Sequence, residues 1–148
     1  MFRGQFRHTI DPKGRLSIPA RIREQLGAHG ADGRLVLAPR RGRGLDVWPL
    51  PTWEELEART NALPRLDADA RRLKTFYLSL GQDVSLDPHG RIQISSEYRE
   101  RAGLDKDVMI VGVQDHFEVW DTARWTAYEL EAAGPIDEIF ERVAAKGV

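Results

Sequence analysis

The sequence predicts an α+β fold built from two related halves of one chain. The phrase DPKGRLSI at Asp11–Ile18 returns as DPHGRIQI at Asp87–Ile94, 76 positions later. Farther along, the pair Trp48 and Trp53 is followed by a second tryptophan pair, now 72 positions later. The repeat is long and gapped, so it indicates a duplicated fold rather than a recurring turn.

The beginning of each half has the pattern of two short strands joined by a tight turn. Apolar residues alternate with polar ones in Gln5–Ile10 and again in Arg15–Ile18, which predicts strands. Between them, Asp11 to Gly14 supplies the Asp, Pro and Gly that a β-turn prefers at its first, second and fourth positions. The two strands are therefore expected to pair as a β-hairpin.

The other elements follow the order β-β-α-β-β-α in each half. In the first half we expect a helix from Pro19 to Gly27, strands at Arg34–Ala38 and Leu45–Trp48 around the basic loop Arg40–Gly44, and a helix from a capping box at Thr52–Glu55 to Ala62. A linker helix at Ala68–Leu80 should follow, and then strands at Asp83–Leu86, Arg91–Ile94, Val108–Val113 and Phe117–Trp120 and helices at Glu97–Ala102, Thr122–Ala133 and Ile136–Lys146.

These elements divide the chain into a first repeat at 1–62, a helical linker at 63–81, a second repeat at 82–133 and a C-terminal helix at 134–148. One repeat alone has short strands, little core and open sheet edges. Interlocking of the two copies, or oligomerisation, is expected to cover those edges.

Composition excludes several classes of protein. The 148 residues include no cysteine, which rules out disulfides, thiolate zinc sites and a cysteine nucleophile. No run of about 18 apolar residues occurs, and the N-terminus lacks the apolar core of a signal peptide. We expect a cytoplasmic protein with no membrane partner.

Charge is distributed unevenly along the chain. Residues 1–43 hold 10 basic and 3 acidic side chains, a net of +7, whereas residues 44–148 hold 12 and 20, a net of −8. Such an asymmetry is typical of a protein with one face for a polyanion. Chance clustering of solvated arginines is the alternative.

The first turn carries the strongest candidate site, the spacing Asp11-x-x-x-Arg15. An isolated motif of this kind favours a purely structural salt bridge, but here basic residues crowd around it. The arginine fork can bridge O6 and N7 of guanine. We predict that Arg15 reads bases while Asp11 orients it, with Gly14 completing the turn. The surrounding cations are Arg3, Arg7 and Lys13, predicted to meet phosphates, and Arg21 and Arg23, which either meet DNA or pack outward.

The second turn, Asp87, His89, Gly90 and Arg91, is a weaker candidate for DNA. Acidic residues surround it in the sequence, so a structural bridge or a subunit contact is favoured there. For the four tryptophans, a place in the core is favoured over stacking on bases.

Catalytic, metal and cofactor sites have little support. The histidines His8, His29, His89 and His116 are scattered and lack the spacing of a zinc site. The sequence has no phosphate-binding Gly-Lys-Ser/Thr loop and no nucleophile elbow. We expect no enzyme activity, no cofactor, no metal and no small-molecule substrate.

Nearly the whole chain up to about residue 130 resembles the bacterial MraZ family. The matching segments are Phe2–Gly4, His8–Asp11, Lys13–Arg21, Arg23, Gly33–Leu37, Trp48–Leu50, Trp53-Glu54, Asp69–Arg72, Asp87–Ile94, Arg99, Ala102–Leu104, Val111–Val113, Phe117–Trp120 and Trp125. The resemblance implies tandem AbrB-like swapped-hairpin repeats, a ring-shaped homo-oligomer and sequence-specific binding of double-stranded DNA. It further implies a nucleoid-associated regulator, more a repressor than an activator, of the division and cell-wall gene cluster, acting at G-rich direct repeats. An Asp-x-x-x-Arg motif in each copy is the family's functional signature.

Two other functions compete with this reading. The first is an antitoxin-like or scaffold module that uses the acidic second half and the last helix as a partner surface. The second is a hydrolase or transferase with a pocket at His8 or His116. Salt dependence separates DNA binding from an apolar protein contact.

Overall fold

The computed structural model describes residues 1–28 and 32–148. The strands are β1 Gln5–Thr9, β2 Arg15–Ser17, β3 Arg34–Pro39, β4 Leu45–Pro49, β5 Gln82–Ser85, β6 Arg91–Gln93, β7 Asp107–Gly112 and β8 Phe117–Asp121. The helices are α1 Ala20–Ala28, α2 Leu50–Asn61, α3 Ala68–Phe76, α4 Ser96–Ala102, α5 Thr122–Tyr128 and α6 Ile136–Ala144. A 3₁₀ turn at Leu78–Leu80 follows α3, and a π-helical turn at Glu129–Ala133 follows α5. The fold class is α+β, as predicted.

The two halves are interlocked through a six-stranded antiparallel sheet in the order β1-β7-β8-β4-β3-β5. Strand β1 of the first half pairs with β7 of the second, and β5 of the second pairs with β3 of the first. The central pair, β4 and β8, joins equivalent strands of the two halves. The sheet therefore has a pseudo-twofold relation about its centre, as a duplicated chain predicts.

A second, two-stranded sheet is formed by β2 and β6, one from each half. Its inner residues Leu16 and Ile92 are buried in a core shared with Ile110 and Phe117 of the large sheet. This small sheet therefore covers one face of the large one, together with Ile22 and Leu26 of α1.

The opposite face of the large sheet is covered at two places. Trp53 lies in a cluster with Val36 and Ala38, whereas Trp120 packs with Met109 and Val111. The two tryptophan pairs pack edge to face, Trp48 with Trp53 and Trp120 with Trp125, with ring centroids 6.2 and 5.5 Å apart. Trp53 and Trp120 are each only 4% exposed, so both serve the core.

A buried polar cluster lies where the two halves meet. Asp46 of β4 stands opposite Glu118 of β8, and both are almost completely buried. Arg40 donates to both carboxylates, at 3.1 and 2.5 Å, and Tyr77 donates its hydroxyl to Asp46 at 2.5 Å. His116 contacts Glu118 at 3.3 Å. Every member thus has a hydrogen-bond partner, as burial of charge requires.

Strand pairing at the start of the chain differs from the prediction. Strands β1 and β2 do not form a hairpin, because only an isolated bridge between Ile10 and Leu16 joins them. Each instead pairs with the other half, so the turn at Asp11–Gly14 leads from one sheet into the other. The exchange gives β1 a continuous ladder on β7, and this covers edges that a single hairpin would leave open.

Helix boundaries also differ from the prediction, and the predicted helix Thr122–Ala133 becomes a π-helical turn after Tyr128. The capping box at Thr52 is wrong: α2 begins at Leu50 with a proline in its first turn and no side-chain cap, because proline is pre-organised for a helix start. The predicted linker helix is broken at Tyr77, whose hydroxyl is held by Asp46 and Trp48. Helix α1 continues one residue past Gly27.

Within the part of the chain that the structure describes, no helix combines the length and the apolar character needed to cross a bilayer.

Candidate nucleic-acid interface

The first candidate turn is held by the carboxylate of Asp11. One oxygen, Oδ1, accepts the backbone N–H groups of Lys13 and Arg15 at 2.9 Å each, and Oδ2 accepts Nε of Arg15 at 2.6 Å. The hydrogen bond from the Arg15 backbone is the main reason that the pKa of Asp11 lies below its usual value. The turn is closed by Gly14, which donates to the Asp11 carbonyl at 2.9 Å and has a φ of 81°.

The second turn reproduces this geometry. Asp87 accepts the backbone N–H groups of His89 and Arg91 at 2.9 Å and Nε of Arg91 at 2.8 Å. The backbone hydrogen bond from Arg91 again does most to lower the pKa of the carboxyl. Gly90 has a φ of 75° and donates to the Asp87 carbonyl at 2.9 Å. The two motifs are thus equivalent in structure as well as in sequence.

Both motifs meet on one small ribbon formed by β2 and β6. Arg15 stands opposite Gln93, and Arg91 stands opposite Ser17, in antiparallel register. Since side chains alternate across a strand and Leu16 is buried between them, all four residues lie on the outer face. The two arginines are diagonal neighbours, a relation that separates Cα atoms by about 7–8 Å in an antiparallel pair. One polar surface therefore carries the arginines of both halves.

The arginines are oriented in a way that leaves their ends free. Each arginine donates Nε to its aspartate, and its terminal nitrogens make no hydrogen bond to another described residue. Their side chains are 32% and 27% exposed. A guanidinium fixed through Nε can present its two terminal nitrogens to a planar pair of acceptors such as O6 and N7 of guanine.

Two further arginines lie over the turns, each contributed by the opposite half. A Cβ built on Gly90 would lie 2.8 Å from Cδ of Arg23, and one built on Gly14 would lie 3.3 Å from Cζ of Arg99. Arg23 is fixed by donating Nε to the carbonyl of Ile18 at 3.1 Å. The second turn, acidic in its sequence neighbourhood, is therefore flanked by a cation from the first half.

Only some of the residues predicted to contact phosphates lie near the ribbon. Lys13 is exposed on the first turn, and Arg21 is exposed on α1. Arg3 precedes β1 at the end away from the turn, on the order of 25 Å from Asp11 along an extended strand. Arg7 pairs with Met109 and so lies on the opposite face of the large sheet from the ribbon.

Sequence reasoning missed three residues of this surface: Ser17, Gln93 and Arg99. Gln93 is exposed and donates its amide to the carbonyl of Lys13, which links the ribbon to the first turn. The signals were present, because strand alternation places Ser17 and Gln93 beside the arginines, and the 76-residue shift relates Arg99 to Arg23.

The basic loop Arg40–Gly44 is engaged within the protein. Arg40 belongs to the buried cluster with Asp46 and Glu118, and Arg43 lies over the ring of Tyr128 at 5.2 Å. Two of the loop's arginines are thus engaged within the protein and are less available to contact a DNA phosphate.

Among residues 1–28 and 32–148, one group of side chains has the composition of a metal site. Single ligand atoms of Asp46, His116 and Glu118 lie within 4.8 Å of one another. The guanidinium of Arg40 already bridges the two carboxylates, so this group is a satisfied ion-pair cluster. The first repeat has two histidines, His8 and His29, and His29 lies outside the described residues.

Comparison with known proteins places these features in a family. The family model described as "MraZ protein, putative antitoxin-like" matches residues 1–76 and 79–146. The chain belongs to the MraZ family. Each of its two matched segments contains one Asp-x-x-x-Arg turn.

Curated MraZ relatives are similar over almost the full chain. The transcriptional regulator MraZ of Acidithiobacillus ferrooxidans is 42% identical over 132 residues, 86% of this chain and 87% of that protein. The protein of the same name from Heliobacterium modesticaldum is 39% identical over 148 residues, 97% and 96% of the two chains. That of Limosilactobacillus reuteri is 42% identical over 146 residues, 95% and 96%.

Proposed function

We propose that this protein is a sequence-specific DNA-binding transcriptional regulator that acts as a repressor. It reads G-rich direct repeats with the β2–β6 ribbon. The carrying observation is that Arg15 and Arg91 lie on one outer face, each oriented by its own aspartate. The name of the curated relatives, transcriptional regulator, supports the same function.

The size and shape of the ribbon suit the major groove of DNA. That groove admits a two-stranded β-ribbon, and its edges distinguish guanine by two acceptors in one plane. A bidentate arginine contact contributes about 1–3 kcal/mol of discrimination against a wrong base. Two such contacts from one ribbon can specify a short box, and cations at Lys13, Arg23 and Arg99 are placed to meet the adjoining phosphates.

A short box needs repetition to be bound tightly. In the proposed function several copies of the chain form a ring, and their ribbons follow one another head to tail, as heterologous contacts require. Direct repeats in the promoter of the division and cell-wall gene cluster would match this order. Linked weak sites gain roughly 10²–10⁴ in affinity through effective concentration. The regulator acts in the cytoplasm, at the nucleoid.

The test is binding to a fluorescent duplex with G-rich direct repeats across a salt series, with a scrambled duplex as the reference. We expect tight binding of the repeat duplex and a steep loss of affinity with salt. The slope of log K against log salt concentration should fall by about 0.9 for each phosphate contacted. Arg15→Ala should lower the preference for the repeat duplex by roughly 5- to 150-fold, which corresponds to the loss of one contact of about 1–3 kcal/mol, while the Arg91 contact keeps the rest of the preference. Arg34→Ala, which removes an exposed arginine at the start of β3, is the matched control and should keep the preference.

Two results would contradict the proposal. Equal affinity of the wild-type protein for both duplexes would remove sequence reading. An undiminished preference in the Arg15→Ala variant would remove Arg15 as a reader of guanine.

A further inference from the structure

The last helix of the chain presents an apolar stripe that lies outside the core clusters of the described residues. Helix α6 carries Ile136, Ile139, Phe140 and Val143 at helical spacing, so they share one face. Ile136 and Phe140 are 58% and 68% exposed, and none of the four belongs to a core cluster of the described residues. An amphipathic face of this kind on a short helix calls for a partner surface.

A matching surface lies between the linker and α4. We call it the linker groove: it runs between Phe76, Leu80, α4 and the β3–β4 loop and has a volume of about 900 Å³. Phe76 on its wall is 73% exposed although it ends an otherwise amphipathic helix. The groove thus offers apolar surface that the chain itself does not bury.

Charge distinguishes the partner. The lining of the linker groove holds four arginines and two glutamates, whereas α6 carries three acidic residues and one arginine between Ile136 and Ala144. The charge of Arg40 is neutralised by Asp46 and Glu118, so the other lining side chains make the groove cationic by one charge, whereas α6 is anionic by two. Opposite charge around a shared apolar contact favours association and fixes its orientation.

We propose that α6 of one copy docks, apolar face inward, into the linker groove of a second copy of this chain. The inference rests on the ring assembly of the proposed function and names the contact that builds it. Because helix and groove are different surfaces, each copy gives its helix to one neighbour and receives one from the other. Such a heterologous contact propagates head to tail and closes into a ring when the rotation allows.

The absence of cysteine makes a crosslinking test clean. Phe140→Cys and Phe76→Cys are prepared as separate proteins, mixed in equal amounts and treated with a short bismaleimide. We expect a mixed dimer to form from this pair and to be lost when Phe76→Cys is replaced by Leu66→Cys, a fully exposed site outside the groove. Equal yields from the two pairs would overturn the proposal. A third protein that carries both substitutions should crosslink between chains, and a crosslink formed only within one chain would also overturn the proposal.

A second measurement keeps the proposal testable without crosslinking. Light scattering after gel filtration should give a multiple of 16.8 kDa for the wild type and a mass of 16.8 kDa for Phe140→Asp. The control Val148→Asp, with the same change at an exposed position after α6, should keep the wild-type mass. A monomeric wild type, or an unchanged mass for Phe140→Asp, would overturn the docking. A monomeric wild type would also remove the ring from the proposed function, whereas an unchanged mass for Phe140→Asp would overturn the docking alone. Base reading by Arg15 is tested separately, by the preference for the G-rich duplex.

Discussion

Arg15 and Gln93 stand directly opposite each other on the outer face of the β2–β6 ribbon, one from each half of the chain. The pseudo-twofold counterpart of this pair is Arg91 with Ser17. The arginines match, but a long amide faces one of them and a short hydroxyl faces the other. The two halves of the ribbon therefore carry the same arginine but different neighbours of that arginine. This difference lets the ribbon distinguish the two orientations of a DNA box.

Gln93→Ser should make the ribbon nearly symmetric. The glutamine amide can pair with adenine N6 and N7, a contact of about 1–3 kcal/mol, and serine is too short to replace it. We expect base discrimination to be lost at one box position, next to the guanine read by Arg15. Competition by duplexes with single base changes measures this. The control Gln82→Ser changes an exposed glutamine of β5 and should leave the profile as it is; an unchanged profile for Gln93→Ser would exclude a base contact.

Lys13→Ala should reduce the salt dependence of DNA binding, whereas Arg3→Ala should not. Lys13 is exposed on the first turn beside the ribbon, and Arg3 lies at the far end of β1. Loss of one phosphate contact lowers the slope of log K against log salt by about 0.9. Affinity measured between low and high salt for both variants gives the two slopes. A larger change for Arg3→Ala would place the DNA on another face.

The turn glycines should differ in their tolerance of alanine. Both have positive φ, which costs a non-glycine residue about 1–2 kcal/mol. A Cβ at Gly14 would also lie 2.5 Å from the backbone oxygen of Ile94, whereas at Gly90 it meets the flexible side chain of Arg23. Urea unfolding should therefore show a larger loss for Gly14→Ala. Gly27→Ala, in open space within α1, should instead gain about 0.5–1 kcal/mol; a smaller loss at Gly14 than at Gly90 would contradict the ribbon geometry.

Stability should fall as pH rises through neutrality because of His116. Burial disfavours its charged form, but the carboxylates of Glu118, Asp115 and Asp46 outweigh burial and raise the pKa of His116 above 6.5. The protonated imidazole thus stabilises the fold fully below the unfolded pKa of 6.5, and this stability is lost as pH rises through the higher folded pKa. The loss is about 1.4 kcal/mol for each unit by which the pKa is raised.

Urea unfolding between slightly acidic and alkaline pH measures this loss. His116→Gln, which stays neutral, should remove the decline, and His89→Gln on the exposed second turn should keep it. A decline that persists in His116→Gln would assign it to another group.

Much of the fold could be read from the sequence because its signals are local. Turn residues at Asp11–Gly14 and Asp87–Gly90, alternation in the strands and the Ser95 cap, which accepts the Tyr98 N–H at 3.2 Å, all depend on near neighbours. The open edges of one repeat led us to expect interlocked copies or oligomerisation, but local signals do not tell which strands exchange. β1 pairs with β7, a strand far away in the sequence, because this pairing covers the open edge of each strand. Alternation within β1 and β2 is compatible with that pairing and with a local hairpin.

The site was predictable in its motif but not in its assembly. Asp11 and Arg15 are four positions apart, so their contact follows from the turn. That Arg91 shares a face with Arg15, and that Arg23 and Arg99 cross to the opposite turns, depends on the β2–β6 register. The buried cluster was missed for the same reason, because Arg40, Asp46 and Glu118 meet only after the halves interlock.

The most direct test of base reading is the Arg15→Lys variant, with its dissociation constants for the G-rich and the scrambled duplex measured at one salt concentration. Lysine keeps the positive charge but lacks the planar fork. We expect the affinity for scrambled duplex to stay at the wild-type value and the preference for the G-rich duplex to fall by roughly 5- to 150-fold, which corresponds to 1–3 kcal/mol. A preference equal to that of the wild type would show that Arg15 contributes charge alone, and it would contradict a ribbon that reads guanine.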